Sequence, residues 1–526
     1  MRAAGEEEGI NARGIALFSV TEKEGVEKVA RAACAAGLEI LSTGGTARHL
    51  RNHGIEVKEA GEYSGAGEIL SGRVKTLAPR IHAGLLGRWD EEKDRHDMKR
   101  LGALPIRLLV CNLYHLEGVS PESVEGIDIG GVAMLRAAAK NWKYVAVVTD
   151  PEDYEETVAV LESEARNASL AGALGTEEWR RRLALRAWRL VRDYDERIAS
   201  AFAPEEEEGP AALSLLERGR GTLFLEQVMP LRYGENPHQR AGWFRTAKRG
   251  VHEIEILDGK TISYNNLLDM TAAMNLALDL GKDAVAVIKH QTPCGAAVGG
   301  TISENLAAAI ATDRESAFGS VIAVNGAVDE EAFAAMKGLF VEVLFVRGLS
   351  SGARSLLGKR KKMRAVIWEN PLSDGLVIRN VPGGLLIQRS DEEEEETCGL
   401  KNWRVVTKRE PTEEEKRDLR IAELIAKHAR SNAVALVKNG TAVGIGSGRT
   451  SRVKAVRDAV SIAGDRLPGT VMGSDAFFPF PDGLEEAKGI TAVIQPGGSI
   501  RDEEVIAYAD AAGLAMVFTD RRHFRH

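Results

Sequence analysis

The sequence predicts an α/β protein with more than one domain, and three observations support this. Short apolar segments alternate with helical patterns from Ile15 to Asp150, which is typical of a parallel α/β sheet. A chain of 526 residues is long for one hydrophobic core, so we expect about two to four domains. A short internal repeat in the second part of the chain indicates two similarly folded halves there.

The first domain is predicted from apolar strands and the helices between them. Residues 203–210 include PEEEEGP, which has the charge and proline content of an exposed linker. We therefore expect a first domain over residues 1–202, an acidic linker over 203–210 and a second domain over 211–526. The strand segments are ALFSV, LEILS, RLLVCNLY and YVAVVTD, and the helical segments are EGVEKVARAACAAG, a stretch ending near Gly54, and EEWRRRLALRAWRLVRDYDERIASAF.

The internal repeat lies in the second domain. Ala284–Gly295, AVAVIKHQTPCG, matches Ala433–Gly444, AVALVKNGTAVG, at six of twelve positions without gaps. Both copies are apolar strands that end in a lysine, so we expect two similar halves at roughly 211–375 and 376–526. Asn439-Gly440 lies between apolar runs, which predicts a type I′ hairpin turn.

Composition excludes several classes of protein. The chain is 44% hydrophobic and 28% charged, with no apolar run long enough to cross a bilayer. A net charge of −8 argues against non-specific nucleic-acid binding. The four cysteines are far apart and form no CxxC pair, and the acidic first residues lack a signal peptide's apolar stretch. We expect a cytoplasmic protein without a structural zinc site of the usual cysteine-based kind.

Three glycine-containing segments are candidate anion cradles. Each of Ser42–Thr46, Asp128–Gly131 and Gly444–Gly448 precedes a helical pattern, whose N-terminus would present free backbone N–H groups to an anion. None matches the Walker or dinucleotide-binding pattern. Tight strand–helix turns without a ligand are the alternative for each segment.

Polar loops are the other candidates for chemistry. Arg73–Thr76, RVKT, and Arg232–Gln239, RYGENPHQ, are dense in hydrogen-bonding groups, and Lys289-His290 ends a strand. Ordinary solvated loops are the alternative for all three. Pro293-Cys294 lacks the second cysteine of the deaminase PCxxC motif, so we predict no catalytic zinc.

Taken together, these segments closely resemble the bifunctional purine-biosynthesis family, in which AICAR (5-aminoimidazole-4-carboxamide ribonucleotide) transformylase is joined to IMP cyclohydrolase. The match follows the family order over almost the whole chain. ALFSVTEKEG, STGGTA, GRVKTLAPRIHAGLL, CNLY, IDIGGVAMLRAAAKN and VTDPEDY resemble the cyclohydrolase half. LRYGENPHQ, YNNLLD, KHQTPCG, SAFGS, SNAVALVKNG, GSDAFFPFPDG and FTDRRHFRH resemble the transformylase half.

The resemblance implies a fold, two reactions and partners. It implies a methylglyoxal-synthase-like, doubly wound parallel-sheet domain and a larger α/β/α domain of two cytidine-deaminase-like halves without their zinc. The second domain would transfer a formyl group from 10-formyltetrahydrofolate to AICAR, giving FAICAR. The first would close FAICAR to IMP with loss of water. No metal is implied, and a homodimer is expected.

The resemblance also assigns site residues. His290 would take the amine proton of AICAR, and Lys289 would stabilise the oxyanion or help protonate the departing folate nitrogen. AICAR and its phosphate would contact Arg232, Tyr233, His238, Asn266, Gly319 and Arg522, and the formyl-folate region would contact Asn432, Glu342, Phe477 and Asp482. The cyclising formyl group would meet Lys75, Tyr114, Asp128 and Lys140, while Ser19, Lys23, Ser42, Gly44, Gly45, Thr46, Arg73, Thr76 and Asn112 would hold phosphate and ribose.

Departures from the family pattern leave alternatives open. They are Ala78 for a histidine, His115 for a proline, Thr292 for an asparagine, LFVRG (Leu344–Gly348) for IIAP, and Ser447 and Arg449 for alanine and glutamine. One alternative is a cyclohydrolase with a weakened transformylase half or a different formyl donor. Another is a regulator that binds a phosphorylated ligand without turnover.

Overall fold

The chain forms two compact units, Met1–Glu205 and Glu206–His526, in a computed structural model. The structure describes residues 14–65, 74, 76–114, 116, 120–121, 123–167, 172–202, 216, 219, 225–246, 254–258, 261–368, 375–391 and 403–526. Within these residues, no helix is both long and apolar enough to span a membrane. The predicted linker, residues 203–210, the predicted site residues Arg73 and Lys75, and the family departure His115 lie outside the described part.

A five-stranded parallel sheet forms the centre of the first unit, as the alternating pattern predicts. Its order is β3-β2-β1-β4-β5, and every neighbouring pair is parallel. The strands are β1 (Ile15–Ser19), β2 (Glu39–Ser42), β3 (Lys58–Glu59), β4 (Ile106–Cys111) and β5 (Ala146–Val148). β1 and β4 are apolar and buried almost throughout, because helices cover both faces of such a sheet.

Eight helices of the described residues accompany this sheet. They are α1 (Val26–Ala35), α2 (Gly44–Asn52), α3 (Ala60–Ser64), α4 (Pro79–Leu86), α5 (Glu92–Leu101), α6 (Gly130–Lys140), α7 (Tyr154–Asn167) and α8 (Glu177–Phe202), with a short 3₁₀ turn at Pro151–Asp153. α1 illustrates why they form: Val26, Val29, Ala30 and Ala33 recur at helical spacing and are buried. The strand order reverses between β1 and β4, and ligands bind at such a switch point in open α/β sheets.

A twelve-stranded mixed sheet dominates the second unit. Its order is β16-β21-β20-β19-β17-β18-β10-β9-β11-β12-β13-β8. Two separate hairpins are β6 (Glu226–Leu231) with β7 (Ala241–Arg245) and β14 (Leu376–Val381) with β15 (Gly384–Arg389). The sheet strands are β8 (Glu255–Asp258), β9 (Val285–Lys289), β10 (Thr292–Ala297), β11 (Ser320–Val328), β12 (Val341–Leu349), β13 (Arg364–Ile367), β16 (Arg404–Val405), β17 (Val434–Lys438), β18 (Thr441–Gly446), β19 (Val471–Ser474), β20 (Ala492–Gln495) and β21 (Ala515–Phe518).

Helices pack on this sheet to form three apolar clusters of buried residues. One cluster contains residues from both halves of the sheet together with α9 and α13, and one further cluster belongs to each half. The helices are α9 (Tyr264–Leu280), α10 (Ile302–Thr312), α11 (Glu330–Ala335), α12 (Ser351–Leu357), α13 (Glu413–His428), α14 (Arg452–Ala463), α15 (Asp482–Glu486) and α16 (Asp502–Ala511), with a 3₁₀ turn at Gly464–Arg466.

The internal repeat corresponds to two matching strand sets. Outward from the centre of the sheet, the strand order β10-β9-β11-β12-β13 is repeated by β18-β17-β19-β20-β21. The β9–β10 hairpin of one set meets the β17–β18 hairpin of the other where Ala297 pairs with Thr441. Within each set the hairpin is antiparallel and the last three strands are parallel. The sequence repeat is therefore a structural repeat.

The β9–β10 and β17–β18 hairpins both turn through two residues with positive φ. Asn439 and Gly440 have φ of 51° and 77°, which confirms the turn predicted there. His290 and Gln291 occupy the equivalent positions with φ of 52° and 61°. β9 ends at Lys289, so the chain leaves strand geometry at His290, and Pro293 and Gly295 lie within the following strand, β10.

A carboxylate from the preceding helix holds each turn. Asp269, the sixth residue of α9, accepts a 2.7 Å hydrogen bond from the Gln291 N–H. Asp418, the sixth residue of α13, accepts 2.7 Å bonds from the Asn439 and Gly440 N–H groups. A turn leaves N–H groups outside the strand ladder, and these two carboxylates satisfy such groups.

Glycine allows a helix to approach each hairpin closely. A Cβ built on Gly295 would lie 1.9 Å from the Ala309 carbonyl oxygen of α10, and one on Gly444 would lie 2.0 Å from the Ala459 oxygen of α14. Neither backbone oxygen can move without shifting its helix. The repeat therefore shares its helix packing as well as its strands.

We expect Gly295→Ala to lower the free energy of unfolding by about 1–3 kcal/mol, because the added methyl group overpacks a backbone contact. Gly348→Ala is the matched control, since its Cβ would lie an ordinary 3.6 Å from the Ala327 Cβ. Urea unfolding of both variants measures the difference. Equal stability of the two variants would contradict the close packing.

Candidate active sites in the two units

The carboxyl ends of β1 and β2 form one wall of the crevice in the first unit. Ser19 Oγ lies 3.1 Å from Thr43 Oγ1, at the start of α2. The predicted ligand contacts Ser42 and Thr46 use their hydroxyl hydrogens internally, since they donate to the carbonyls of Phe18 and Val20 at 2.9 Å. These hydroxyls fix the cradle, whose open face is formed by the exposed Gly44 and Gly45.

Asn112 and Thr21 connect β4 to β1 across the switch point. Asn112 Oδ1 accepts a 2.6 Å hydrogen bond from the Thr21 N–H. The Asn112 Nδ2 and Thr21 Oγ1 atoms are buried and have no hydrogen-bond partner among the described residues. Lys23 donates to the Thr21 carbonyl at 3.0 Å, and its Cε lies near Gly45. Buried unpaired polar atoms are costly, and a polar ligand here would satisfy them.

Asp128 lies at the start of α6, on the β4 side of this crevice. Its Oδ1 accepts a 2.7 Å bond from the Gly131 N–H, and its own N–H donates to Tyr194 Oη at 2.7 Å. A Cβ on Gly130 would lie 2.2 Å from Thr76 Oγ1, so a larger residue there would displace the threonine side chain. Burial and the Asp128 charge raise the pKa of Tyr114, which is 51% exposed. The Tyr114 phenol is therefore a neutral hydrogen-bond donor beside a carboxylate.

Lys140 is separated from this group along α6. It is the last residue of the helix and is exposed, and its Cα is about 15 Å from that of Gly130 at 1.5 Å per residue. That Lys140 acts together with Asp128 and Tyr114 on the formyl group stays a prediction. The roles of Arg73 and Lys75 also stay predictions.

A cavity of about 660 Å³ lies between the two halves of the second unit. One wall carries Lys289, His290 and Asp313 from the first half. The opposite wall carries Ser447, Arg449 and Asp458 from the second. The described residues that complete the lining are Thr292, Pro293, Cys294, Glu315, Ser316, Ile445, Ser461 and Ile462. Thus three sequence departures, Thr292, Ser447 and Arg449, line this cavity.

Lys289 and His290 stand at the edge of the cavity because of the turn. The Lys289 ammonium donates to the Phe318 carbonyl, beside Gly319, whose own N–H donates to the Phe340 carbonyl at 2.7 Å. The His290 side chain follows immediately on the exposed turn. Burial raises the pKa of the Cys294 thiol to about 12, so this cavity cysteine is a poor nucleophile.

Asn432 supports the opposite wall. Its Nδ2 donates to the Arg449 carbonyl at 2.8 Å, and its Oδ1 accepts a 2.8 Å bond from Arg452. The buried Arg452 also donates to Asp475, and Ser431 donates to the same carboxylate at 2.6 Å. Asn432, which is predicted to contact the formyl-folate region, therefore has partners on both sides of its amide.

The predicted AICAR contacts at the start of the second unit form a separate group in the structure. Arg232 and Tyr233 follow β6, with the guanidinium 5.6 Å from the neighbouring ring centre, and His238 is exposed on the same loop. Asn265 donates to the Glu235 carbonyl at 3.3 Å, which ties this loop to α9. Asn266 is 3% exposed and caps α9 with Ser263. Its oxygen is thus used by the helix cap.

The remaining predicted contacts are distributed around the second unit. Glu342 in β12 lies 3.4 Å from the Arg364 guanidinium. Phe477 is exposed, Asp482 accepts a 2.8 Å bond from the Gly483 N–H, and Arg522 stacks 4.5 Å from the Phe524 ring centre. In the LFVRG departure, Leu344, Phe345 and Val346 are fully buried strand residues, and Arg347 stacks on Trp368 at 3.8 Å. That change is accommodated in the sheet.

Sequence reasoning missed Asp269, Arg452, Asp475 and His523, which hold these walls. Three of them lie inside motifs quoted for the resemblance, YNNLLD, GSDAFFPFPDG and FTDRRHFRH, and Arg452 follows the GIGSG segment. Only the contacts identify them as supports.

His523 anchors the C-terminal segment. Its N–H donates to the Asp475 carbonyl at 2.9 Å, and its Nδ1 lies 2.7 Å from Asp391. Burial opposes the charged ring, but Asp391 and Glu423 outweigh it and raise the pKa of His523 to about 9. The charged imidazole is thus part of the native fold at neutral pH.

Comparison with known proteins identifies relatives along nearly the whole chain. The profile of the AICARFT/IMPCHase bienzyme family matches residues 138–462, and that of MGS-like domains matches residues 25–143. The bifunctional purine biosynthesis protein PurH of Brucella anthropi is 44% identical, over 97% of each chain. PurH of Rhodospirillum rubrum is 42% identical, over 97% of this chain and 98% of the relative. The crystal structure of ForH is 34% identical, covers 36% of this chain and 100% of that chain, and has a TM-score of 0.33.

We expect His523→Gln to lower the free energy of unfolding by about 2–3 kcal/mol at pH 6. A histidine whose pKa is higher in the folded than in the unfolded protein stabilises the fold most at pH values below its unfolded pKa. This contribution is lost as the pH rises through about 9, so variant and parent should converge near pH 10. Thermal unfolding across this range, with the exposed His526→Gln as control, measures it. A constant difference from pH 6 to 10 would contradict the charged state.

Proposed function

Because the chain belongs to the AICARFT/IMPCHase bienzyme family, we propose that its second unit transfers a formyl group to AICAR and its first unit closes the product to IMP. The protein is a bifunctional purine-biosynthesis enzyme with transformylase and cyclohydrolase activities. The assignment of formyl transfer to the second unit rests mainly on the Lys289–His290 turn at the edge of a 660 Å³ cavity.

Formyl transfer needs a base and a cation. The AICAR 5-amino nitrogen is a weak nucleophile, because its lone pair delocalises into the ring. It attacks the formyl carbon of the folate donor, for which we propose 10-formyltetrahydrofolate. His290 takes the amine proton, the bond from the formyl carbon to the folate nitrogen breaks, and that nitrogen regains a proton. The products are FAICAR and tetrahydrofolate.

Lys289 supplies the charge that this step requires. Its ammonium has three N–H donors, and the Phe318 carbonyl takes one of them. Another can bind the oxygen that becomes negative in the tetrahedral intermediate. The contact with Phe318 limits where the ammonium can lie, so the cation is positioned before the substrate arrives.

Asp269 positions the turn that carries both groups. Its bond to the Gln291 N–H fixes a backbone in which His290 and Gln291 have positive φ. Burial raises the pKa of Asp269, against the lowering effect of the Gln291 N–H and the His290 side chain. Through its hydrogen bond to Gln291, the Asp269 carboxylate acts on the reaction by positioning the turn.

Cyclisation in the first unit is mainly a matter of positioning. The carboxamide nitrogen attacks a formyl carbon on the same molecule, and water leaves. We propose that the neutral Tyr114 phenol and Asp128 face the formyl group, while Thr21, Asn112 and the start of α2 hold phosphate and ribose. Thr21 Oγ1 and Asn112 Nδ2 support this placement, because their buried atoms need polar partners.

We also propose a cytoplasmic homodimer whose two reactions need no metal. Exposed apolar side chains on the β14–β15 hairpin support self-association, since Ile378, Leu385 and Leu386 are all more than one-third exposed. Reduced thiols at Cys34, Cys111 and Cys294 fit a reducing compartment.

We expect His290→Ala to lower kcat for formyl transfer about 10²–10⁴-fold while FAICAR cyclisation is unchanged, because the base is lost in one unit only. Separate assays of AICAR with 10-formyltetrahydrofolate and of FAICAR alone measure both activities. Equal losses in the two assays would contradict separate sites, and a parent enzyme without formyl transfer would favour a cyclohydrolase with an impaired second unit.

Asp269→Ala should lower kcat for formyl transfer about tenfold or more, because small misplacements of reacting groups are costly. Asp418→Ala is the matched control: it removes the same support from the equivalent turn, which carries Asn439 and Gly440. It should keep formyl transfer at equal folded fraction by circular dichroism. Loss of kcat in both variants would indicate a purely structural role.

A further inference from the structure

Glu27, His49 and His53 form a compact group in the first unit. One donor atom from each residue lies within 4.8 Å of the other two. His49 belongs to the last turn of α2, His53 follows that helix directly, and Glu27 belongs to the first turn of α1. Two histidines four residues apart share one face of a helix, which is a frequent arrangement for metal ligands. We propose that these three side chains bind one divalent transition-metal ion, of which Zn²⁺ is the representative.

The ring geometry prepares the two histidines as ligands. His53 Nδ1 lies 2.9 Å from the His49 carbonyl, so this nitrogen carries the hydrogen and leaves Nε2 with a free lone pair. His49 Nε2 is buried and has no hydrogen-bond partner among the described residues. It lies 3.6 Å from Glu27 Oε2, which is longer than a hydrogen bond. A metal ion could bridge a buried nitrogen and a carboxylate that lie at ion-pair distance without a hydrogen bond.

The spacing suits a small ion. Zn²⁺ binds nitrogen and oxygen donors at about 2.0–2.2 Å, so tetrahedral donors lie about 3.4 Å apart. The 3.6 Å separation of His49 and Glu27 is already close to that, and side-chain rotation within the 4.8 Å group would bring in His53. Imidazole and carboxylate donors favour zinc, cobalt, nickel and copper over magnesium or calcium.

The surroundings permit a cation. His49 and His53 are at the C-terminal end of α2, where the helix dipole favours positive charge. Arg31 donates to the His53 carbonyl at 2.6 Å, and the Arg51 guanidinium is paired with Glu59 at 2.6 Å. Glu27 and His49 are partly buried and His53 is exposed, so three protein ligands leave a fourth position for water.

The ion would join the start of α1 to the end of α2. The start of α2 forms the anion cradle, and His49 and His53 are about 7 and 13 Å along the helix axis from Gly44. Joining the first turn of α1 to the end of α2 would stabilise the packing of these two helices. The inference is independent of the reaction mechanism, because it uses none of the residues assigned to it.

Titration of the metal-free full-length protein with CoCl₂ tests the proposal. We expect one Co²⁺ per chain with the visible absorption of a four-coordinate complex, displaced by ZnCl₂, and a higher thermal midpoint when either metal is added. His53→Gln and His49→Gln should each weaken this binding about tenfold or more. The control His96→Gln removes an exposed histidine on α5 and should leave it unchanged.

The exposed His53→Gln variant is decisive, because it is expected to fold normally. Unchanged Co²⁺ binding in that variant would overturn the proposal. So would the absence of saturable binding in the parent protein, or binding that His96→Gln weakens as much as His53→Gln does. Loss of binding in both His49→Gln and His53→Gln, with cyclisation retained, would support it.

Discussion

The active geometry of the second unit depends on a two-residue turn built from residues that ordinarily avoid its conformation. His290 and Gln291 both have positive φ, which costs free energy for side chains other than glycine and is found most often at functional sites. On a regular strand, Lys289 and His290 would point to opposite faces. The turn instead presents both at the edge of the cavity, and Asp269 together with the β9–β10 pairing holds it.

The repeat shows what this geometry requires. The equivalent turn in the second half uses Asn439 and Gly440, which adopt the same conformation with little strain, and Asp418 binds both of its N–H groups. The two halves share strands, helix packing and turn support, yet only one turn carries an amine and an imidazole. The second half contributes the facing wall, where Asn432, Arg452 and Asp475 form a hydrogen-bonded network. Two copies of one fold have thus become two sides of one cavity.

Much of the fold could be predicted from the sequence, because it depends on local patterns. Alternating apolar strands and helices indicated the parallel sheet, and Asn439-Gly440 indicated a hairpin through its turn preference. The contacts of the site could not be predicted in this way, since they join residues far apart in the chain: Asp269 with Gln291, Arg452 with Asp475, and His523 with Asp391. Nor could the sequence show that the side chains of Ser42 and Asn266 form hydrogen bonds with backbone groups, or that LFVRG lies in a buried strand. The family resemblance identified the reactions, and the structure shows how the walls are held.

The central claim is that the Lys289 ammonium and the His290 imidazole meet around the exocyclic nitrogen of one AICAR molecule. A crystal structure of the protein with AICAR and a non-transferring folate analogue measures this most directly. The account predicts His290 within hydrogen-bonding distance of the 5-amino nitrogen and Lys289 within reach of the position of the formyl oxygen. A nucleotide bound in the second unit with both side chains remote from that nitrogen would contradict it.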